Sequence, residues 1–284
     1  SVDEVISAWG SVAHLATTAS SGAAVTAGRI PTKNYIQITC NGSDSFNLFI
    51  DDIWSSYQPG STGAFGGISY IPDGTNNLLN LYFIGDNRVG NIHCATHDGQ
   101  NNNYTVDPKH TNKITFDADS DATLTVANVE INQGTTSTAG NIGGTDGHDH
   151  SCKMEFNGGI IYAGNALYDY GTAIGGGGNG PGYITINDGV ITAVASSTGT
   201  AIGGGCGTSG PGGYGNVTIN GGEVYAYSYK PKYYSKSNNV YTENTSWADA
   251  LPTAIGGGSS GAQIGGHGDI NITGGKVFAY SEVG

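Results

Sequence analysis

Ile184-Thr-Ile-Asn-Asp-Gly-Val-Ile-Thr-Ala193 is followed by Val217-Thr-Ile-Asn-Gly-Gly-Glu-Val-Tyr-Ala226, and then by Ile270-Asn-Ile-Thr-Gly-Gly-Lys-Val-Phe-Ala279. Met154-Glu-Phe-Asn-Gly-Gly-Ile-Ile-Tyr-Ala163 is a looser copy upstream. Between the copies stands a second phrase, Thr-Ala-Ile-Gly-Gly-Gly, at Thr172, Thr200 and Thr253, with an echo at Asn141-Ile-Gly-Gly144. A unit of about 30 residues made of short β phrases and glycines is the mark of a solenoid. A sandwich has no reason to repeat the same words in the same order.

Each late repeat reads as three short strands, here Ile184 to Ile186, Val190 to Val194 and Thr200 to Ile202. Glycine or Asn-Gly turns separate them. Alternation decides which side chains face inward. On the first strand these are Met154/Phe156, Ile184/Ile186, Val217/Ile219 and Ile270/Ile272. On the second they are the columns Ile161, Ile191, Val224, Val277 and Ala163, Ala193, Ala226, Ala279. Leu124-Thr-Val126, Leu79-Asn-Leu81 and Tyr35-Ile-Gln-Ile38 extend the grammar backwards more loosely.

The fold class read from these phrases is all-β, a right-handed parallel β-helix of about seven coils. First strands open near Tyr35, Leu79, Thr123, Lys153, Tyr183, Asn216 and Asp269. Residues 1–34 form an N-terminal cap segment, 35–122 irregular coils with long loops, and 123–284 the regular repeats with an aromatic insertion at 229–251. Val2, Val5, Ile6, Trp9 and Ala13 follow helical spacing, and Ser1 with Glu4 reads as a capping box. A short helix there would cover the open first rung. No cap follows Val277 and Ala279, so the last rung is expected to meet further coils or another subunit, or to be plugged by residues 281–284. Docking of a second subunit would be head-to-tail self-association, which propagates into filaments unless it closes.

Composition bounds the function. Glycine is 49 of 284 residues without a Gly-X-Y period, so collagen is excluded. Charged residues are only 12%, against the usual ~25%. A surface of Asn, Thr, Ser and Gly suits an extracellular or cell-surface protein. The net charge of −13 argues against nucleic acid and anionic membranes as partners. No apolar run approaches the ~18 residues of a membrane span. The four cysteines, Cys40, Cys94, Cys152 and Cys206, contain no C-x-x-C pair. Rung height argues against a Cys152–Cys206 bond and leaves Cys40 with Cys94 open.

Ala173-Ile-Gly-Gly-Gly177 and Val217-Thr-Ile-Asn-Gly-Gly-Glu-Val-Tyr-Ala226 resemble repeats of large Gram-positive, clostridia-like surface proteins, adhesin-like or carbohydrate-binding β-helix proteins. The clear match spans residues 123–284. The resemblance implies a parallel β-helix and extracellular display. It implies no catalytic residue, because the motif is structural.

The outward positions of the second strand carry the most distinctive surface. Tyr162, Thr192, Tyr225 and Phe278 form one column, with Gly164, Val194, Tyr227 and Tyr280 beside it. Aromatic faces suit sugar stacking or a protein interface. The neighbouring insertion adds Tyr229, Tyr233, Tyr234, Tyr241 and Trp247. It either folds over the strand aromatics or extends an exposed binding surface. The ligand-binding candidates are therefore Tyr162, Tyr225, Tyr227, Tyr229, Tyr233, Tyr234, Trp247, Phe278 and Tyr280, for a glycan or a surface protein.

Two stretches carry metal-type residues. Asp117, Asp119 and Asp121 alternate as at the start of a calcium loop, although Ala122 replaces the glycine and Asn128 the bidentate glutamate of an EF-hand. His148, His150 and Cys152 fall on one side of an extended segment and suit Zn²⁺ by chemistry, though not by a known spacing. No cofactor is required; calcium is the candidate metal at the three aspartates, and Zn²⁺ or a similar ion at the His/Cys stretch. Asn157, Asn187 and Asn220 align at one turn and read as a hydrogen-bonded ladder. A polysaccharide lyase or hydrolase would need paired carboxylates. The outward row of the first strand supplies Glu155, Thr185, Thr218 and Asn271, a single carboxylate. The expected function is thus non-catalytic adhesion or glycan binding, with a filament subunit second and a polysaccharide-active enzyme third.

Overall fold

The computed structural model describes residues 12–16, 36–41, 45–53, 67–73, 76–96, 112–126, 141–144, 150–164, 172–196, 199–207, 210–229, 233–237, 240–244, 253–260 and 264–282. They are all-β, with no helix among them. Three parallel sheets carry the chain, as expected of a parallel β-helix. The first stacks Val12–Ala16, Ser45–Asp51, Leu78–Ile84, Lys113–Ala118, Lys153–Phe156, Gly182–Ile186, Gly215–Ile219 and Gly268–Ile272. The second stacks Asp86–Val89, Thr123–Val126, Ile160–Gly164, Val190–Ser196, Glu223–Tyr229 and Lys276–Ser281. The third stacks Ile36–Asn41, Gly67–Asp73, Asn91–Thr96, Ile142–Gly143, Ile174–Gly175, Ile202–Gly203 and Ile255–Gly256. From Leu78 onwards the chain visits first, second and third sheet in rotation.

The repeated phrases pair without offset. Met154, Ile184, Val217 and Ile270 share one column, and Phe156, Ile186, Ile219 and Ile272 the next. Ile161, Ile191, Val224 and Val277 align likewise, as do Ala163, Ala193, Ala226 and Ala279. All of these are core residues except those of the last described rung. There Ile270 and Ile272 are 47% and 51% exposed, because no further strand pairs with Gly268–Ile272 among the described residues.

Three assignments change towards the N-terminus. Tyr35-Ile-Gln-Ile38 does not open a coil: Ile36–Asn41 belongs to the third sheet. Leu124-Thr-Val126 lies in the second sheet, paired with Ile160–Gly164. The first strand of that coil is Lys113–Ala118, whose Ile114 and Phe116 link Leu79 and Leu81 to Met154 and Phe156. Both phrases alternate, so periodicity could not rank them, and only the neighbouring edges do. The helical reading also fails over Val12–Ala16, which is a strand paired in parallel with Asn47–Asp51. A short apolar run fits either period, and a sheet edge offering a full ladder decides for the strand. Residues 1–11, with the rest of that helix, lie outside the described residues. The first sheet holds eight strands, one more than the expected coil count.

The Ile-Gly phrase has a steric cause. Gly143, Gly175 and Gly203 have φ of 137°, 147° and 145°. A Cβ on any of them would lie 1.8 Å from the carbonyl oxygen of the glycine on the next rung. The preceding Thr172 and Thr200 are fully buried, and their hydroxyls donate to the carbonyls of Gly176 and Gly257. The Asn ladder is present. Asn187 Nδ2 donates to Asn157 Oδ1 and Asn220 Nδ2 to Asn187 Oδ1, both at 2.8 Å. The hydroxyl of Thr273 continues it to Asn220 at 2.9 Å.

His93, on Asn91–Thr96, is 3% exposed, and burial lowers its pKa from 6.5 to about 4. The unfolded chain therefore binds the extra proton between those values. Stability should be complete above pH 6.5 and decline as pH falls towards 4, by about 3 kcal/mol from this residue. Urea unfolding of the wild type and of His93→Gln across that range tests this. Equal pH slopes for the two would rule it out.

Candidate functional site: an aromatic face on the second sheet

The second sheet turns alternate residues outward. Its registers place Thr125, Tyr162, Thr192, Tyr225 and Phe278 in one column. Val194, Tyr227 and Tyr280 form the next, and Tyr229 stands opposite Ser196 beyond it. Five aromatics therefore converge on the last two rungs: the four that the repeat phrases imply, Tyr225, Tyr227, Phe278 and Tyr280, and Tyr229, which the strand Glu223–Tyr229 adds. Tyr227 and Tyr229, two residues apart on one strand, stack with ring centroids 6.2 Å apart and planes 4° from parallel. Phe278 tilts against Tyr227 at 5.6 Å, and Tyr280 against Tyr229 at 6.0 Å.

These rings are accessible. Phe278 is 51% exposed, Tyr280 42%, Tyr229 40% and Tyr162 37%. Tyr225 and Tyr227 are half-buried. Burial first, and the nearby Tyr229 second, raise the Tyr162 phenol above its ordinary pKa. The tyrosines thus present hydroxyls at the rim of an apolar surface. Of the insertion, Tyr233–Ser237 and Val240–Asn244 pair as an antiparallel hairpin that carries Tyr233, Tyr234 and Tyr241. Trp247 lies outside the described residues.

A charged edge borders the rings. The Tyr225 hydroxyl donates to Glu223 Oε2 at 3.0 Å, and Lys276 forms an ion pair with the other oxygen of Glu223. Hydrogen bonding by Lys276, then by Tyr225, lowers the Glu223 pKa, and the same pair raises that of Lys276. A fixed polar edge beside stacked rings can hydrogen-bond hydroxyl groups of a ligand whose apolar face rests on the rings.

A second aromatic row lies outside the columns expected from the sequence. Tyr183, Tyr214 and His267 lie on successive coils, with centroids 6.4 Å and 5.9 Å apart. Both the Tyr214 hydroxyl and the His267 ring bond Asp269. The signal was available, since Gly-Tyr-Ile, Gly-Asn-Val and Gly-Asp-Ile begin equivalent first strands. Tyr183 lies on its strand, whereas Tyr214 and His267 stand just before theirs, so strand register alone does not bring the three rings together.

Two of the metal-type aspartates make other contacts. Asp119 accepts the Tyr82 hydroxyl at 2.7 Å, and Asp117 accepts the Ala118 amide at 2.9 Å. Burial chiefly raises the Asp117 pKa, with a smaller contribution from Asp119. Asp121 is exposed. His150 lies on a two-residue strand, Cys152 is fully buried, and His148 lies outside the described residues. Among the described residues no group of three or more His, Cys, Asp or Glu could hold a metal ion. Glu155, the outward carboxylate of the regular coils, is held by Lys113 Nζ at 2.8 Å and by Asn187 Nδ2 at 3.0 Å.

No protein family, no curated protein and no solved structure matches this chain.

Proposed function

We propose that the three sheets close into a right-handed parallel β-helix displayed outside the cell. In this reading its aromatic face binds a glycan, as an adhesion or carbohydrate-binding module. The observation that carries it is the contiguous cluster of half-buried Tyr227 with exposed Tyr229, Phe278 and Tyr280 on one face of a parallel sheet. Sugars present an apolar C–H face and peripheral hydroxyls, which match ring faces and the Glu223–Lys276 edge respectively. Low charge content, acidic balance and the likeness of the repeats to those of clostridia-like surface proteins support extracellular placement. Catalysis is not part of this reading. A polysaccharide lyase or hydrolase has less support, because Glu155 is occupied by its ion pair and the acidic groups near Tyr82 hold structural bonds.

Binding to immobilised polysaccharides and to isolated bacterial cell walls is the direct test. Tyr227→Ala, Phe278→Ala and Tyr280→Ala should each lose under ~1 kcal/mol of stability, as surface truncations do. Affinity should fall at least about tenfold for each, as for aromatic anchors of an interface. Unchanged binding by the triple variant would overturn the proposal. A steep loss of melting temperature for each would show instead that the rings belong to a covered core.

The exposed Ile270 and Ile272 favour a second reading, a subunit that associates end to end. Sedimentation over a range of concentrations should then show growing assemblies, and Ile272→Lys should suppress them. A single species at every concentration would exclude it.

A further inference from the structure

One short strand departs from the parallel scheme. His150–Ser151 runs antiparallel to Asn91–Thr96, with His150 opposite Thr96 and Ser151 opposite Ala95. The next step of this register sets Cys152 opposite Cys94. The Cys152 amide donates to the Cys94 carbonyl at 2.6 Å, so the two form a hydrogen-bonded antiparallel pair. Such pairs hold their Cα atoms ~5.5 Å apart, inside the roughly 4.4–6.8 Å that a disulfide spans. Both side chains are fully buried in one core, and both are thiols.

Cys40 and Cys206 stand elsewhere in the stack. Cys40 pairs with Pro72, and Cys94 with Tyr70, so Cys40 and Cys94 lie two rungs apart in one sheet rather than on adjacent rungs of different strands. Two rungs are ~9.6 Å, beyond disulfide reach. Cys206 is buried in a later coil, with the Ser259 hydroxyl 3.8 Å from its sulfur.

We propose that Cys94 and Cys152 form a disulfide when the chain folds in the presence of a small-molecule disulfide. One cysteine thiolate attacks the donor, forming a mixed disulfide and releasing one donor thiol. The second cysteine thiolate attacks the mixed disulfide, forming the Cys94–Cys152 bond and releasing the second donor thiol. The protein loses two hydrogens and two electrons, and the donor gains them. The exchange belongs to folding, before the coils close over both sulfurs. Once buried, the thiols are out of reach of an oxidant. The bond would tie the third sheet to the entry of Lys153–Phe156, across a loop of roughly 60 residues, a length at which a cross-link restricts the unfolded chain strongly. The extracellular reading explains where a donor would be met. The pair geometry stands without it.

The test is refolding of the reduced, denatured chain in a mixture of reduced and oxidised glutathione. Alkylation under denaturing conditions and peptide mapping follow. The expected result is two alkylated cysteines of the four, Cys40 and Cys206, with a linked peptide joining Cys94 to Cys152. Reductant should then lower the urea midpoint of the wild type, but not that of Cys94→Ala, Cys152→Ala. Four alkylated cysteines in refolded protein, or Cys94 linked to Cys40 or Cys206, would overturn the proposal, whether or not the double variant folds.

Discussion

Gly203→Ala is expected to destroy the fold, and Gly256→Ala to weaken it only modestly. Both glycines close the same phrase, with φ of 145° and 136°, so the backbone strain of an alanine is similar at both. That strain costs about 1–3 kcal/mol. The space around them differs. A Cβ on Gly203 would sit 1.8 Å from the Gly256 carbonyl oxygen, whereas on Gly256 its nearest neighbours are Ile270 Cδ1 at 3.6 Å and Thr253 Cγ2 at 3.7 Å. The first contact can be relieved only by parting two rungs and breaking the ladder bonds Ile202 N–H to Ala254 O and Gly204 N–H to Gly256 O. A loss above ~5 kcal/mol, seen as insoluble or unfolded protein, should follow. Gly256→Ala should remain folded, with a lowered urea midpoint. Similar midpoints for the two variants would mean that the rungs are not stacked as closely as described.

Phe116→Ala should be strongly damaging to the first sheet. Its ring stacks on Phe156 with centroids 4.6 Å apart and planes 7° from parallel, and both are fully buried. Removing such a ring costs about 3–5 kcal/mol, because the rungs on either side cannot close over the space. Phe156→Ala should cost a similar amount. The double variant should lose less than the two together, by about 0.5–1.5 kcal/mol, the coupling of a stacked pair. Urea unfolding followed by circular dichroism measures all three. Additive losses would show that the rings do not touch.

The same phenylalanine marks a limit of the sequence. Lys113-Ile-Thr-Phe116 and Thr123-Leu-Thr-Val126 both alternate, and both fall near the expected distance upstream of Lys153. The first joins the first sheet and the second joins the second. Nothing local ranks them, since each pattern satisfies a half-buried strand. In the regular repeats the ambiguity vanishes, because identical phrases must lie in identical places if each rung is to pair with the next.

Of the candidate site, the outward columns of Tyr162, Tyr225 and Phe278, and of Tyr227 and Tyr280, were legible because register follows from repetition and facing from a period of two. The Asn157–Asn187–Asn220 ladder was legible for the same reason. The stacking of Tyr227 on Tyr229 and the row of Tyr183, Tyr214 and His267 were not, because ring contacts depend on rotamers and turn paths.

The sequence by itself determined the repeat, its all-β character and the inward columns. These are properties of one residue and its neighbours, or of one phrase and its copy. Only the tertiary structure decided that Val12–Ala16 is a strand, that Lys113–Ala118 opens its coil, and that Cys152 meets Cys94. Those are choices among strand edges distant in sequence, made by which backbone ladder and which apolar contacts can be completed together, and no local pattern contains them.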